Sequence, residues 1–147
     1  MAKSFSEFLN RNSVLPSPEL PMVHSTPAYF LKNIRDSGAI SPQKCEVFGG
    51  KLSYFFFARP AYKLQGDDNQ AAEWELPACF IFDYRAIPKP KRVFPFDSGA
   101  FHTGRMPHYI GMMKRDDFDV SDVPAAPTRI VRGGSVCLDR FPGLLRG

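Results

Sequence analysis

The sequence predicts a single α+β domain, in which short helices flank a central and mostly antiparallel sheet. The length of 147 residues is that of one ordinary domain. Apolar runs of strand length at residues 51–58 and 78–84 are bounded by Gly, Pro and polar residues, which predicts two buried strands. The 14 Phe and 14 Pro residues favour short elements around an aromatic core, because Phe fills cores and Pro interrupts helices and central strands.

Two helices are predicted in the first part of the chain. A Ser-x-x-Glu capping box predicts a short helix over residues 4–11 that packs as an N-terminal arm. The second helix is predicted to begin after Thr26 as its cap, with Pro27 in the first turn, and to end at Gly38 in a left-handed conformation.

Further strands are predicted from about Val23 and over residues 93–96. Residues 97–100 should form a turn, and the acidic, Pro-containing stretch 116–127 should be an exposed loop. From residue 128 onwards the sequence predicts at most a short strand and a glycine-rich tail.

These elements divide the chain into three parts. Residues 1–21 are a helical arm with a Pro-rich connector, residues 22–131 form the α+β core, and residues 132–147 form a Gly-rich C-terminal tail. Residues 141–147 do not have the pattern of a closing strand, which also favours the interpretation that the chain is truncated.

Composition argues against several classes of protein. The longest apolar run, residues 54–58, is far shorter than the ~20 residues of a membrane span, and the polar N-terminus lacks a signal peptide, so a cytoplasmic location without a membrane partner is predicted.

Three cysteines without a Cys-x-x-Cys pair predict neither a disulfide framework nor a zinc knuckle. His102 and His108 match no recurring metal-ligand spacing with Cys137 or Asp97, so no metal is expected. The sequence also contains no Walker loop and no Gly-x-Ser-x-Gly elbow.

Two short segments carry the strongest indication of chemistry. His24-Ser25-Thr26 ends the first predicted strand, and Tyr54 lies in an aromatic strand that follows Gly49-Gly50. In this order the segments resemble the ADP-ribosyltransferase fold, in its branch with a His-x-Thr first motif and a Tyr-Phe second motif. That family includes poly(ADP-ribose) polymerases, RNA 2′-phosphotransferases and bacterial toxins that modify DNA. The resemblance covers residues 22–62, less than half of the chain.

The resemblance implies a split sheet, with the substrate NAD bound between the two motif strands. The His24-Ser25-Thr26 segment would hold the ribose and nicotinamide side of NAD, and Tyr54 or Tyr62 would stack on the nicotinamide. Arg59 would pair with the pyrophosphate. ADP-ribose would then be transferred to a macromolecule through an oxocarbenium-like state, as in a toxin or phage-defence protein.

The acid that should stabilise this state is missing from its expected place. The family typically uses a late Glu, and this chain has no Glu after Glu75. Asp97, next to the strand at residues 93–96, is therefore predicted to act with His24 and Tyr54, and Asp139 is the other late acid. The missing Glu also favours a second interpretation, a catalytically inactive member of the fold that serves as a binding module or inhibitor.

Each residue of the predicted site also has a purely structural interpretation. A lone His in an apolar neighbourhood is more often hydrogen-bonded for structure, and Ser-Thr-Pro is explained as a helix cap. Aromatic strand residues such as Tyr54 mostly belong to a core, and Arg59 at a strand exit is as readily solvated as bound to phosphate.

A third interpretation is a small nucleic-acid-binding protein. The net charge is +4, and residues 85–115 contain seven Lys or Arg against the single acid Asp97. Phosphates would contact basic residues of this stretch, and nearby aromatic rings would stack on bases. The predicted contacts are Arg85, Lys89, Lys91, Arg92 and Arg105 with Phe94, Phe96 and Tyr109. A solvated basic surface explains the same charges equally well.

Overall fold

The structure, a computed structural model, describes residues 4–11, 19–60, 72–106, 114–130 and 135–138, the last range as backbone alone. It confirms the α+β class, with an antiparallel sheet and short helices. The strands are β1 (Met22–Pro27), β2 (Gln43–Lys44), β3 (Lys51–Phe57), β4 (Pro77–Phe82), β5 (Arg92–Phe94) and β6 (Ser135–Leu138). The α-helices of the described residues are α1 (Phe5–Arg11), α2 (Leu31–Ser37), α3 (Ser98–His102) and α4 (Ala126–Arg129).

The strands lie in the order β4-β1-β3-β6-β5, with the short β2 paired to the start of β3. Every pairing in this sheet is antiparallel. The four predicted strands are confirmed as β1, β3, β4 and β5. β6 belongs to the predicted tail, yet it lies inside the sheet between β3 and β5.

The main core covers one face of the sheet. Alternate residues of a strand face the same side, so Phe55 and Phe57 of β3 share this face with Met22 of β1 and Val93 of β5. Phe55 and Met22 are fully buried. The opposite face of β3 carries a smaller cluster around Cys45 and Leu52, against which Tyr54 and Phe48 pack.

The first helix is confirmed. The Ser4 hydroxyl accepts the Glu7 N–H at 3.2 Å, as the capping-box pattern predicts. Leu9 is buried in the main core, and Ser6 donates to the Asp122 carboxylate at 2.9 Å. α1 therefore packs directly on the core.

The predicted start of the second helix is wrong. β1 continues through Pro27, a 3-10 turn follows at Ala28–Phe30, and α2 begins at Leu31 without a side-chain cap. Thr26 is consequently a strand residue and caps nothing. The predicted end is confirmed, because Gly38 adopts the left-handed conformation with φ of 64°.

The region after β5 is more helical than predicted. Residues 97–100 begin α3, and the Asp97 carboxylate caps it by accepting the Gly99 and Ala100 N–H groups. The predicted exposed loop at residues 116–127 instead contains part of a 3-10 turn, Arg115–Phe118, and the start of α4. No helix among the described residues has the length and apolar character needed to cross a membrane. Residues 13–18 of the predicted Pro-rich connector and most of the predicted C-terminal tail lie outside the described residues.

Candidate functional site

The sheet opens between β1 and β3, and this opening creates the candidate site. β1 pairs with β4 along its whole length, but its register with β3 contains only Met22↔Phe57 and Val23↔Phe56. In an antiparallel ladder alternate residues exchange hydrogen bonds, so Ser25 and Tyr54 would form the next bonded pair after Val23 and Phe56. That pair is absent from the register, and the two strands diverge at this point.

A cavity of about 360 Å³ lies where the strands diverge. We call it the β1–β3 cleft. Its walls are the His24-Ser25-Thr26 segment, residues of α2 such as Asn33 and Ile34, and the beginning of β3. The predicted first and second motifs therefore meet at one cavity.

His24 occupies the point of divergence. Its Nδ1 lies 2.8 Å from the Tyr54 carbonyl oxygen, and its ring packs on Phe55 with centroids 5.4 Å apart. A carbonyl only accepts, so Nδ1 carries the proton in this bond. Burial lowers the pKa of His24, and the bond to the Tyr54 carbonyl partly offsets this effect. The ring is therefore neutral near pH 7, with Nε2 as an acceptor that has no hydrogen-bond partner among the described residues.

Two hydroxyl groups near His24 also lack protein partners. Ser53 is only 3% exposed, and its Oγ is buried without a hydrogen bond in the described part of the chain. Thr26 is 7% exposed, and its hydroxyl makes no hydrogen bond to another described residue, although it is not among the fully buried unpartnered atoms. By strand alternation both side chains project from the same face of the sheet as His24. A buried hydroxyl without a partner is costly, so the Ser53 hydroxyl indicates a place for a ligand.

Ser53 was not predicted from the sequence, although its position in β3 carries a signal. It lies two residues before Phe55 and four before Phe57, which is the core-facing set of β3. A small polar residue in the inward-facing set of an aromatic strand is unusual and favours a polar site beneath the strand.

The backbone of Ser25 adds a donor and an acceptor to the cleft. Because its position is the one that loses its β3 partner, its N–H and C=O lie outside the β1–β3 ladder and point towards the opening. The side chain of Ser25 lies on the other face, where its Oγ is 3.6 Å from Cys79 Sγ.

Tyr54 makes two contacts that were not predicted from the sequence. Its carbonyl binds His24, but its side chain belongs to the opposite face of β3, where the hydroxyl lies 2.7 Å from Cys45 Sγ. Its ring packs in the Cys45 cluster. Tyr54 borders the cleft, and its role in stacking on nicotinamide stays a prediction.

The structure does not bring Asp97 or Arg59 to the cleft. Asp97 follows β5, at the far side of the sheet from β1, and its carboxylate is used as the cap of α3. Arg59 is exposed beyond the end of β3 that pairs with Met22, away from Ser53. Tyr62 lies outside the described residues, as do Asp139 and Tyr109. The described residues that line the cleft include no Asp, Glu, Lys or Arg.

Two arginines of the predicted basic stretch are engaged in contacts within the protein. Arg92 pairs with Asp119 at 2.9 Å and lies over the Phe48 ring, and Arg85 pairs with Glu19 at 2.6 Å. Phe94 is fully buried, so the prediction that it stacks on bases is wrong. Phe96 is half-buried and stacks on Phe101. Lys89 and Arg105 are exposed, and Lys91 is exposed but also interacts within the protein.

In the described part of the chain no three His, Cys, Asp or Glu side chains are grouped to hold a metal ion. Comparison with known protein families, curated proteins and solved structures finds no match to this chain. The fold and the β1–β3 cleft are therefore the basis for a functional proposal.

Proposed function

We propose that this chain is an ADP-ribosyltransferase-like protein that binds the nicotinamide and ribose end of NAD in the β1–β3 cleft. The observation that carries the proposal is the convergence of His24, Thr26 and Ser53 at the opening between the two motif strands, where the buried Ser53 hydroxyl has no partner among the described residues. The resemblance of residues 22–62 to that family supports the same ligand.

The groups in the cleft complement this end of NAD. The nicotinamide carboxamide has one carbonyl and one NH₂ group, which match the N–H and C=O of Ser25. Ribose hydroxyls can donate to Nε2 of neutral His24 and accept from the Ser53 and Thr26 hydroxyls. A cavity of about 360 Å³ is at the lower end of the range for ligand pockets, which suits nicotinamide with its ribose better than the whole dinucleotide.

Transfer of ADP-ribose to a macromolecule, including a nucleic acid, would require an acid at this cleft. The described lining contains none, which favours the second candidate function, a binding module or inhibitor that holds NAD without cleaving it. Nicotinamide release, measured with candidate protein and nucleic-acid acceptors, separates the two functions. Turnover by the wild type that is lost in an Asp139→Asn variant would support the enzyme, and binding without release would support the module.

Isothermal titration with NAD tests the proposed site. His24→Asn is the sharpest variant, because the Asn side-chain amide can still donate to the Tyr54 carbonyl while the Nε2 acceptor is lost. We expect it to fold normally and to bind NAD at least about tenfold more weakly than the wild type.

The matched control is His102→Asn, since His102 is exposed in the last turn of α3. This variant should bind NAD like the wild type. Absence of NAD binding to the folded wild type, or equal affinity of all three proteins, would reject the proposed site.

A further inference from the structure

The free edge of the sheet at β4 has its backbone groups arranged for pairing. β4 ends the strand order, with β1 on one side and no other strand of the described residues on the other. The Ala28 N–H donates to the Leu76 carbonyl, which sets the alternation along the β1–β4 ladder. Ala78, Phe80 and Phe82 therefore bond to β1, whereas Pro77, Cys79 and Ile81 direct their backbone groups away from the sheet. Pro77 has no backbone N–H, but at this position the N–H would point away from β1, so the β1–β4 ladder loses no hydrogen bond.

Apolar side chains line the same edge. Ile81 is 71% exposed, although Val23, opposite it on β1, is buried. Trp74 and Leu76, just before the strand, are also exposed. The cover on the Ile81 face of the sheet thus ends at β1, and apolar side chains are exposed along β4 and just before it. Exposed apolar side chains along an edge strand indicate an interaction site.

The charges around this edge are mainly acidic. Glu73 and Glu75 flank Trp74 before the strand, and Asp83 follows it. Arg85 is neutralised by its ion pair with Glu19. Lys32 and Arg35 lie near Phe80 on the opposite face, and both pair with Asp36. The edge is therefore locally negative in a chain whose net charge is +4.

We propose that β4 binds an extended, basic segment of a partner protein, which adds a strand to the sheet at this edge. The N–H groups of Cys79 and Ile81 and the neighbouring carbonyls would supply the main-chain hydrogen bonds. Alternate apolar side chains of the segment would cover Ile81 and Trp74, and its basic side chains would face the acidic ends of the strand. This site is separate from the β1–β3 cleft and does not depend on NAD binding.

Trp74 provides the readout, because it is the single Trp of the sequence and is 64% exposed. The full chain is titrated with a peptide of the length of β4 in which Lys and Val alternate, and with a matched peptide of alternating Glu and Val. We expect the Lys peptide to shift Trp74 emission to shorter wavelength in a saturable and salt-sensitive way, and the Glu peptide to cause no shift.

Two variants test the hydrogen bonding. Cys79→Pro removes an outward N–H without removing a bond to β1 and should weaken peptide binding by roughly tenfold or more, whereas Cys79→Val keeps the N–H and should bind like the wild type. If Cys79→Pro does not fold by circular dichroism, Ile81→Ala replaces it and should also weaken binding.

Three results would overturn the proposal. The first is that the Lys peptide causes no shift in Trp74 emission, and the second is that the Glu peptide causes an equal shift. The third is that Trp74 emission shifts with protein concentration when no peptide is present. The last result would assign the edge to a second copy of the chain.

Discussion

Replacing Ser53 with Ala should stabilise the free protein and weaken NAD binding at the same time. Ser53 is 3% exposed, and its hydroxyl is buried without a partner among the described residues. Folding removes this hydroxyl from water without giving it a protein hydrogen bond in return. The substitution removes that cost, but it also removes a group that we propose contacts the ribose.

The expected magnitude follows from two opposing effects. An unsatisfied buried hydroxyl costs about 1–3 kcal/mol, and the small cavity left by losing one oxygen costs roughly 0.3 kcal/mol. Ser53→Ala should therefore raise the free energy of unfolding by about 1 kcal/mol, which corresponds to a rise in Tm of roughly 3 °C for a domain of this size. Loss of one hydrogen bond to NAD should weaken binding by about 2- to 10-fold.

Chemical denaturation and isothermal titration measure the two effects. Ser6→Ala is the matched control, because Ser6 is also buried but donates to Asp122, so its loss should lower the free energy of unfolding by about 1 kcal/mol and leave NAD affinity unchanged. If Ser53→Ala is destabilised as much as Ser6→Ala, the hydroxyl has a structural role and the reasoning is refuted.

Three further predictions concern His24, Asp119 and Asp97. Burial lowers the pKa of His24 below its ordinary value of 6.5, so the unfolded chain binds more protons than the folded chain near and below that pH. The contribution of neutral His24 to stability is therefore complete above about pH 6.5 and is lost as the pH falls. Denaturation across this range should show stability rising with pH in the wild type and a flatter profile in His24→Asn; identical profiles would contradict the assignment. Asp119→Ala should lower the free energy of unfolding by about 2 kcal/mol, since its carboxylate accepts from Arg92 and from two backbone N–H groups. The same denaturation assay checks this value, and a neutral effect would show that these bonds contribute little. Asp97→Ala should lower the free energy of unfolding by about 1 kcal/mol, because the α3 cap is lost, and should leave the NAD affinity unchanged. Loss of nicotinamide release in a folded Asp97→Ala protein would instead support the catalytic role that the sequence suggested.

The parts of the fold that depend on local pattern could be predicted from the sequence. The apolar runs of β3 and β4 bury one face each, and Gly38 ends α2 because the left-handed conformation favours Gly. The position of β6 could not be predicted. Its placement between β3 and β5 depends on pairing between residues far apart in the chain, which a local pattern does not encode.

Thr26 and Asp97 show why local signals gave the wrong structure. Thr26-Pro27 has the chemistry of a helix start, but Pro27 lies opposite Pro77 at a position where the β1–β4 ladder needs no hydrogen bond, so the strand continues through it. Asp97 has the position of an acid beside a strand, and the same residue type in the same place also caps a helix. Only the tertiary structure distinguishes these alternatives.

The candidate site was predicted in part. The sequence identified His24 and Thr26, because their spacing resembles a known motif, and the structure brings both to the β1–β3 cleft. It did not identify the Ser25 backbone or Ser53. Their contributions arise from the divergence of β1 and β3, which depends on where a pairing between two strands stops.

The most direct test of the NAD proposal is to follow the imidazole ¹⁵N resonances of His24 by NMR while NAD is added. In the free protein the ring should be neutral with the proton on Nδ1, as its bond to the Tyr54 carbonyl requires. At saturating NAD the Nε2 resonance should move as it accepts a hydrogen bond, while those of the exposed His102 stay unchanged. Unchanged His24 resonances at saturating NAD would contradict the proposed site.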